Sequence, residues 1–158
     1  SRTRNIRTTD RIPYLVSHEL AHFQQAMAQG VEQYRRLYDE EGSLLGLSIR
    51  EGSADFLAEV PAGGRVNRGS HAYGNEHEAM LWSLFQPEMH GPETGDWMFA
   101  RPANDAWPRD LGYYFGYRIA DSYYRQAADS MAAIQDILRV TDYPRFLHRS
   151  GYAPGADP

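Results

Sequence analysis

A mainly α fold is predicted by three observations. Apolar residues recur at 3.6-residue spacing over most of the chain, almost no run alternates apolar and polar with period two, and capping side chains stand ahead of the apolar stretches. With 158 residues and neither a linker nor an internal repeat, residues 1–158 read as one domain. Hydrophobic content of 42% is enough for a buried core, and no apolar run approaches the length of a membrane span.

The first helix is expected from Arg11 to Gln29. Thr8, Thr9 and Asp10 can cap its free N–H groups, Pro13 is tolerated in the first turn, and Gly30 is a natural stop. Val16, Leu20, Phe23 and Met27 form one apolar stripe, while His18, His22, Gln25 and Gln29 fall on nearly the opposite side. His18-Glu19-Leu20-Ala21-His22 has the HExxH pattern. Imidazoles at i and i+4 share a helix face and can reach one metal ion, with Glu19 beside them, directed at a water in the open coordination position. Two solvated histidines on a surface helix are the plain alternative, and the glutamate between them favours the metal.

A second helix is expected from a cap near Ser43 to a stop before Pro61-Ala62-Gly63-Gly64. A catalytic zinc usually has three protein ligands, so HExxH requires another carboxylate or His downstream, and Glu51 is the leading candidate, with Glu59 and His71 next. Asp55 lies one turn beyond Glu51 on the same face, placed to accept a hydrogen bond from the distal ring N–H of a ligating His, His18 first. Gly52, Ser53 and Ala54 suit close contact between helices. Without a metal, Glu51 and Asp55 would be a solvated acidic face.

Residues 61–74, rich in Gly, Asn and Arg, read as a mobile loop. Asn75-Glu76-His77-Glu78 has the form of an N-cap opening a helix through Leu81, Trp82 and Phe85 that stops near Pro87, and His77 reads as a first-turn residue rather than a ligand. The segment from Gln86 to Asp110 holds four prolines, and its Trp97, Phe99 and Trp107 are expected to wall a cleft or pack on the core. A helix follows from Leu111 to Gln126. Its Gly112 and Gly116 cost stability unless something packs against them, and close approach to the HExxH helix is the expected reason. Hydrolysis benefits from a donor to the developing oxyanion, for which Tyr117 is the first candidate, with Tyr113, Arg118 and His71 behind it. Asp129-Ser130 should cap a helix through Leu138, and Thr141-Asp142 a last short helix ending at Gly151.

Composition narrows the chemistry. The absence of Cys leaves only His and carboxylate as metal ligands. A net charge of −5 argues against nucleic acid as the main partner, although all 16 basic residues are Arg. No signal-peptide pattern is present.

Taken together, His18-Glu19-Leu20-Ala21-His22, Glu51-Gly52-Ser53-Ala54-Asp55, Gly112-Tyr113-Tyr114-Phe115-Gly116-Tyr117-Arg118-Ile119 and Leu147-His148-Arg149-Ser150-Gly151-Tyr152 resemble known proteins over most of the chain. HExxH followed by Glu-x-x-x-Asp resembles the gluzincin branch of zinc metallopeptidases. The whole set is similar to a bacterial family of predicted zinc-dependent proteases related to gliding-motility lipoproteins. That resemblance implies a zincin-like domain binding one Zn2+ through His18, His22 and Glu51, with Glu19 as general base and a peptide or protein as substrate. It also implies an extracytoplasmic setting and a strand-bearing segment ahead of the first helix, which would make the fold α+β and offer an edge to an extended peptide. Two other readings use the same residues: hydrolysis of a non-peptide amide or ester, and a zinc-containing binding or assembly protein of the bacterial envelope that performs no catalysis. The sequence leaves the oligomeric state open.

Overall fold

The computed structural model describes residues 12–39, 42–64 and 67–155, all of it helix, turn or coil. Seven helices run in the order α1 (Ile12–Gln29), α2 (Val31–Asp39), α3 (Leu44–Ala62), α4 (Arg68–Phe85), α5 (Leu111–Gln126), α6 (Ser130–Leu138) and α7 (Tyr143–Ser150). The described chain is therefore mainly helical, as predicted, and no helix in it is long and apolar enough to cross a membrane. The capping expected from residues 8–10 lies outside the described residues.

α3 and α5 form the centre, and glycine is what lets them meet. A Cβ on Gly116 would run into the Ser48 carbonyl, and one on Gly52 would run into the α5 backbone at Tyr113 and Tyr117. The packing reason for Gly116 is thus α3, the helix of Glu51, and for Gly112 it is Met98 together with Ser48 of α3, not the HExxH helix in either case. Around this contact Leu44, Leu45, Ile49, Leu81, Phe85, Leu111, Phe115 and Ile119 are fully or almost fully buried.

The N-terminus of α3 is capped completely. Ser43 Oγ accepts from the Gly46 N–H at 3.1 Å, while the Leu44 and Leu45 N–H groups donate to the carbonyls of Gly91 and Met89 at 2.8 and 2.7 Å. Its C-terminus runs through Pro61 to Ala62, slightly beyond the predicted stop. Gly63 then turns left-handed (φ 70°) and the Gly64 N–H returns to the Glu59 carbonyl at 3.2 Å, closing the helix in a Schellman arrangement that loses only one bond to the proline.

One helix was unassigned in the sequence, and one segment differs from expectation. Residues 31–39 form α2 directly after Gly30 (φ 89°), and the Tyr34 N–H donates to the Gly30 carbonyl at 2.9 Å. Within the expected loop at 61–74, residues 68–74 are instead the first turns of α4, and the predicted helix start near Asn75 is a kink within that helix, at His77 (φ −121°, ψ 18°). Gly74 is there because the Tyr114 ring lies 2.7 Å from where its Cβ would stand, a packing demand that resembles a helix breaker in sequence. By contrast α5, α6 and α7 occupy their predicted spans. Asp129 accepts from the Met131 and Ala132 N–H groups, and Asp142 from that of Arg145.

α1 is amphipathic with the predicted two faces, and its polar face is the one turned inward. His18, Ala21 and Gln25 are buried against α3, while Val16, Leu20, Phe23 and Met27 are all more than half exposed.

Candidate metal centre

α1 and α3 lie side by side with their polar faces matched. His18 and His22, one turn apart on α1, meet Glu51 and Asp55, one turn apart on α3. His18 Nε2 is 3.4 Å from Glu51 Oε2, His22 Nε2 is 3.2 Å from the same oxygen, and the two Nε2 atoms are 2.9 Å apart. Among the described residues these three side chains are the group that could hold a metal ion. A tetrahedral site with bonds of 2.0–2.2 Å separates its donor atoms by roughly 3.3 Å, so the triangle already has the size a small divalent cation requires.

The triangle is all acceptors unless a proton or a metal sits in it. His18 Nδ1 donates to Asp55 Oδ1 at 2.7 Å, which leaves its Nε2 facing the other two donor atoms. Asp55 is held in turn by Asn67 Nδ2, which donates to its other oxygen at 2.7 Å. Burial opposes a charge on His18, but hydrogen bonds to Asp55 and Glu51 outweigh it and raise its pKa to about 10. Burial likewise works against the Glu51 carboxylate, and its hydrogen bonds to His18 and His22 nonetheless hold it well below the usual carboxylate range. In the absence of a metal the site therefore keeps a proton where the cation would be.

His22 is held from behind by two groups. Its Nδ1 lies 2.9 Å from Gln25 Oε1 and 3.1 Å from the Tyr34 hydroxyl. Tyr34 is fixed by Arg50, whose guanidinium stacks over its ring at 3.4 Å and donates to its carbonyl at 3.3 Å. Burial raises the Tyr34 pKa to about 12, so the phenol stays protonated.

Glu19 is exposed on α1 next to His18. Tyr117 stands by Glu59 and His71. Its hydroxyl donates to Glu59, and its ring meets His71 and Phe56, at 4.6 and 5.5 Å between centroids. The other two candidates for the third ligand, Glu59 and His71, thus gather around Tyr117. The tyrosine beside the triangle is Tyr113, one turn earlier on α5, whose ring stacks on His18 at 6.3 Å. Burial, and after it the Glu51 charge, raises the Tyr113 pKa, which keeps this phenol a donor. Arg118 pairs with Glu78 at 3.3 Å instead, and His77 packs on Tyr73.

The segment after Phe85 contributes one wall rather than three. Trp97 is buried in the core with its indole N–H donating to Glu88 at 2.9 Å, and Trp107 packs on it. Phe99 alone is exposed, edge-on to Tyr113, with a left-handed backbone (φ 64°). Its N–H donates to the carboxylate of Asp110, itself left-handed (φ 62°). Strain at two non-glycine residues joined by a hydrogen bond fixes how Phe99 stands beside the site.

Sequence reasoning passed over Tyr34, which sits on an unassigned helix, and Asn67, which sat in an expected loop. Gln25 was visible on the histidine face, three residues from His22, and that spacing was the available signal. No protein-family model, curated protein or solved structure matches this chain.

Proposed function

We propose that the protein is a zinc-dependent hydrolase, most simply a metallopeptidase, with His18, His22 and Glu51 as the ligands. The observation that carries this reading is the convergence of two imidazole nitrogens and one carboxylate oxygen within 2.9–3.4 Å of one another, beside a glutamate in HExxH register. A site of nitrogen and oxygen donors without thiolate suits zinc, and three protein ligands leave a position open for water and substrate. Zinc bound there would supply Lewis acidity and make water nucleophilic near neutral pH.

The chain's own residues supply the rest. Asp55, anchored by Asn67, fixes the His18 ring with its Nε2 toward the triangle. Glu19, exposed and next to His18 in the chain, takes the proton of the attacking water and passes it to the leaving amine. Tyr113, protonated and stacked on His18, takes over from Tyr117 as the side chain to donate to the developing oxyanion. Phe99 offers an apolar surface to a substrate side chain.

Replacing Glu19 tests catalysis against mere binding. Glu19→Gln should keep its zinc and lose about 10²–10⁴-fold in the rate at which a mixed peptide library is cut. Equal cleavage by parent and variant would defeat the catalytic reading. Parent-only turnover of esters or small amides, with peptides uncut, would keep the hydrolase and remove the peptidase. Zinc binding without any hydrolysis by the parent would favour a binding or assembly role.

A further inference from the structure

Gln25 is almost completely buried, at 1% exposure, on the inner face of α1. A glutamine in such a place must satisfy both ends of its amide. Its Nε2 donates to the Arg50 carbonyl at 3.1 Å and to Ser53 Oγ at 3.0 Å. The Ser53 hydroxyl donates to the same Arg50 carbonyl at 3.2 Å, which turns an oxygen lone pair toward the glutamine. Flipping the amide would set its oxygen against a carbonyl that can only accept. The amide therefore has one orientation, and its Oε1 faces His22 Nδ1 at 2.9 Å.

That orientation selects the tautomer of His22. An amide oxygen is only an acceptor, so Nδ1 carries a ring proton, and in the neutral ring Nε2 then presents its lone pair toward the triangle. The Tyr34 hydroxyl, also near Nδ1 at 3.1 Å, can donate or accept and meets either tautomer equally well. On the Nδ1 side discrimination comes from Gln25; on the other side Glu51 Oε2, which also only accepts, lies 3.2 Å from Nε2 and draws a proton the opposite way, while His18 Nε2 at 2.9 Å can donate to a bare Nε2.

We propose that Gln25 is a positioning residue that locks His22 in its Nδ1–H form, through an amide clamped by Arg50 O and Ser53 Oγ, so that Nε2 is available as a metal ligand. The proposal rests on the metal reading for its purpose, though the tautomer itself is a property of the metal-free protein. It gives His22 a partner from its own helix to match the one His18 receives from Asp55 on α3. A metal site then has both imidazoles oriented before the ion arrives.

The test combines histidine-ring nitrogen NMR on isotope-labelled, metal-free protein with zinc titration against a chromophoric chelator, for the parent, Gln25→Met and Gln25→Glu. The metal-free parent should carry the His22 proton on Nδ1. Gln25→Met, similar in length but unable to accept strongly from Nδ1, should move proton population to Nε2 and weaken zinc binding 10–100-fold. Gln25→Glu, which still accepts, should keep the Nδ1–H form and stay within a few-fold of parental affinity even if it is less stable. A parent with its His22 proton on Nε2 would overturn the proposal without recourse to any variant. So would equal loss of zinc in both variants with the tautomer unchanged, which marks a packing role. A parent that shows the Nδ1–H form, lost in Gln25→Met, yet binds no zinc would sustain the clamp and overturn the metal reading instead.

Discussion

At the scale of single residues, the site is a balance between burial and pairing. His18 and Glu51 are each about 10% exposed at the side chain; His18 keeps its charge because Asp55 and Glu51 face it, and Glu51 because His18 and His22 do. His18 has its pKa raised from 6.5 to about 10, so the stability it contributes to metal-free protein is full below pH 6.5 and is lost as pH rises through 10. Glu51 has its pKa lowered, so its contribution is present above pH 4.5 and is lost on acidification. With chelator present, the thermal midpoint should be highest between about pH 4.5 and 6.5 and decline steadily toward pH 10. A flat profile from pH 6.5 to 10 would contradict the His18 assignment. The HExxH and Glu-x-x-x-Asp pairs were legible in sequence because each is set by spacing within one helix. Gln25's clamp was not, since it depends on which residues of α3 stand opposite α1.

At the scale of elements, the sequence signals that held were those in which a side chain satisfies backbone next to it. Asp129 and Asp142 do this for α6 and α7, and their helices begin where predicted. The signals that failed were glycines inside helices, whereas Gly30 and Gly151, both left-handed, end α1 and α7 as predicted. Gly74 and Gly116 serve contacts between helices, and nothing local distinguishes them from breakers or shows which neighbour they admit. The polarity of α1 was ambiguous for a related reason. Periodicity defines two faces, and only the buried pairing of His18 and Gln25 with α3 selects the inner one. Substitutions on α5 and α1 should therefore differ sharply in effect. Gly116→Ala forces a methyl into the Ser48 carbonyl and should destabilise by about 3 kcal/mol or more, because the obstacle is backbone. Phe23→Gln, on the exposed stripe, should stay within about 0.5 kcal/mol of the parent. Chemical denaturation of both variants checks the pair, and a large loss in Phe23→Gln would mean that the stripe is packed.

At the scale of the whole molecule, the closely packed pair α3 and α5 is a rigid base for the cluster. α1 lays its two histidines on it from one side, α2 brings Tyr34 behind His22, and the residue before α4 brings Asn67 to Asp55. α5 contributes Tyr113 against His18. Four elements around the α3 carboxylates thus orient side chains toward a single point, and mainly helical architecture is sufficient to do so. The helical class and the α1–α3 histidine and carboxylate pairs could be read from the chain. The supporting residues could not, because Tyr34 and Asn67 enter through elements whose starts are written in backbone contacts rather than in side-chain caps.

The central claim is that His18, His22 and Glu51 hold one metal ion together. Anomalous scattering measured just above the zinc absorption edge, on crystals grown with zinc and without chelator, tests it directly. One peak per chain is expected, about 2.0–2.2 Å from His18 Nε2, His22 Nε2 and a Glu51 carboxylate oxygen. A map with no peak among these three atoms, or with its strongest peak on other residues, would contradict the account.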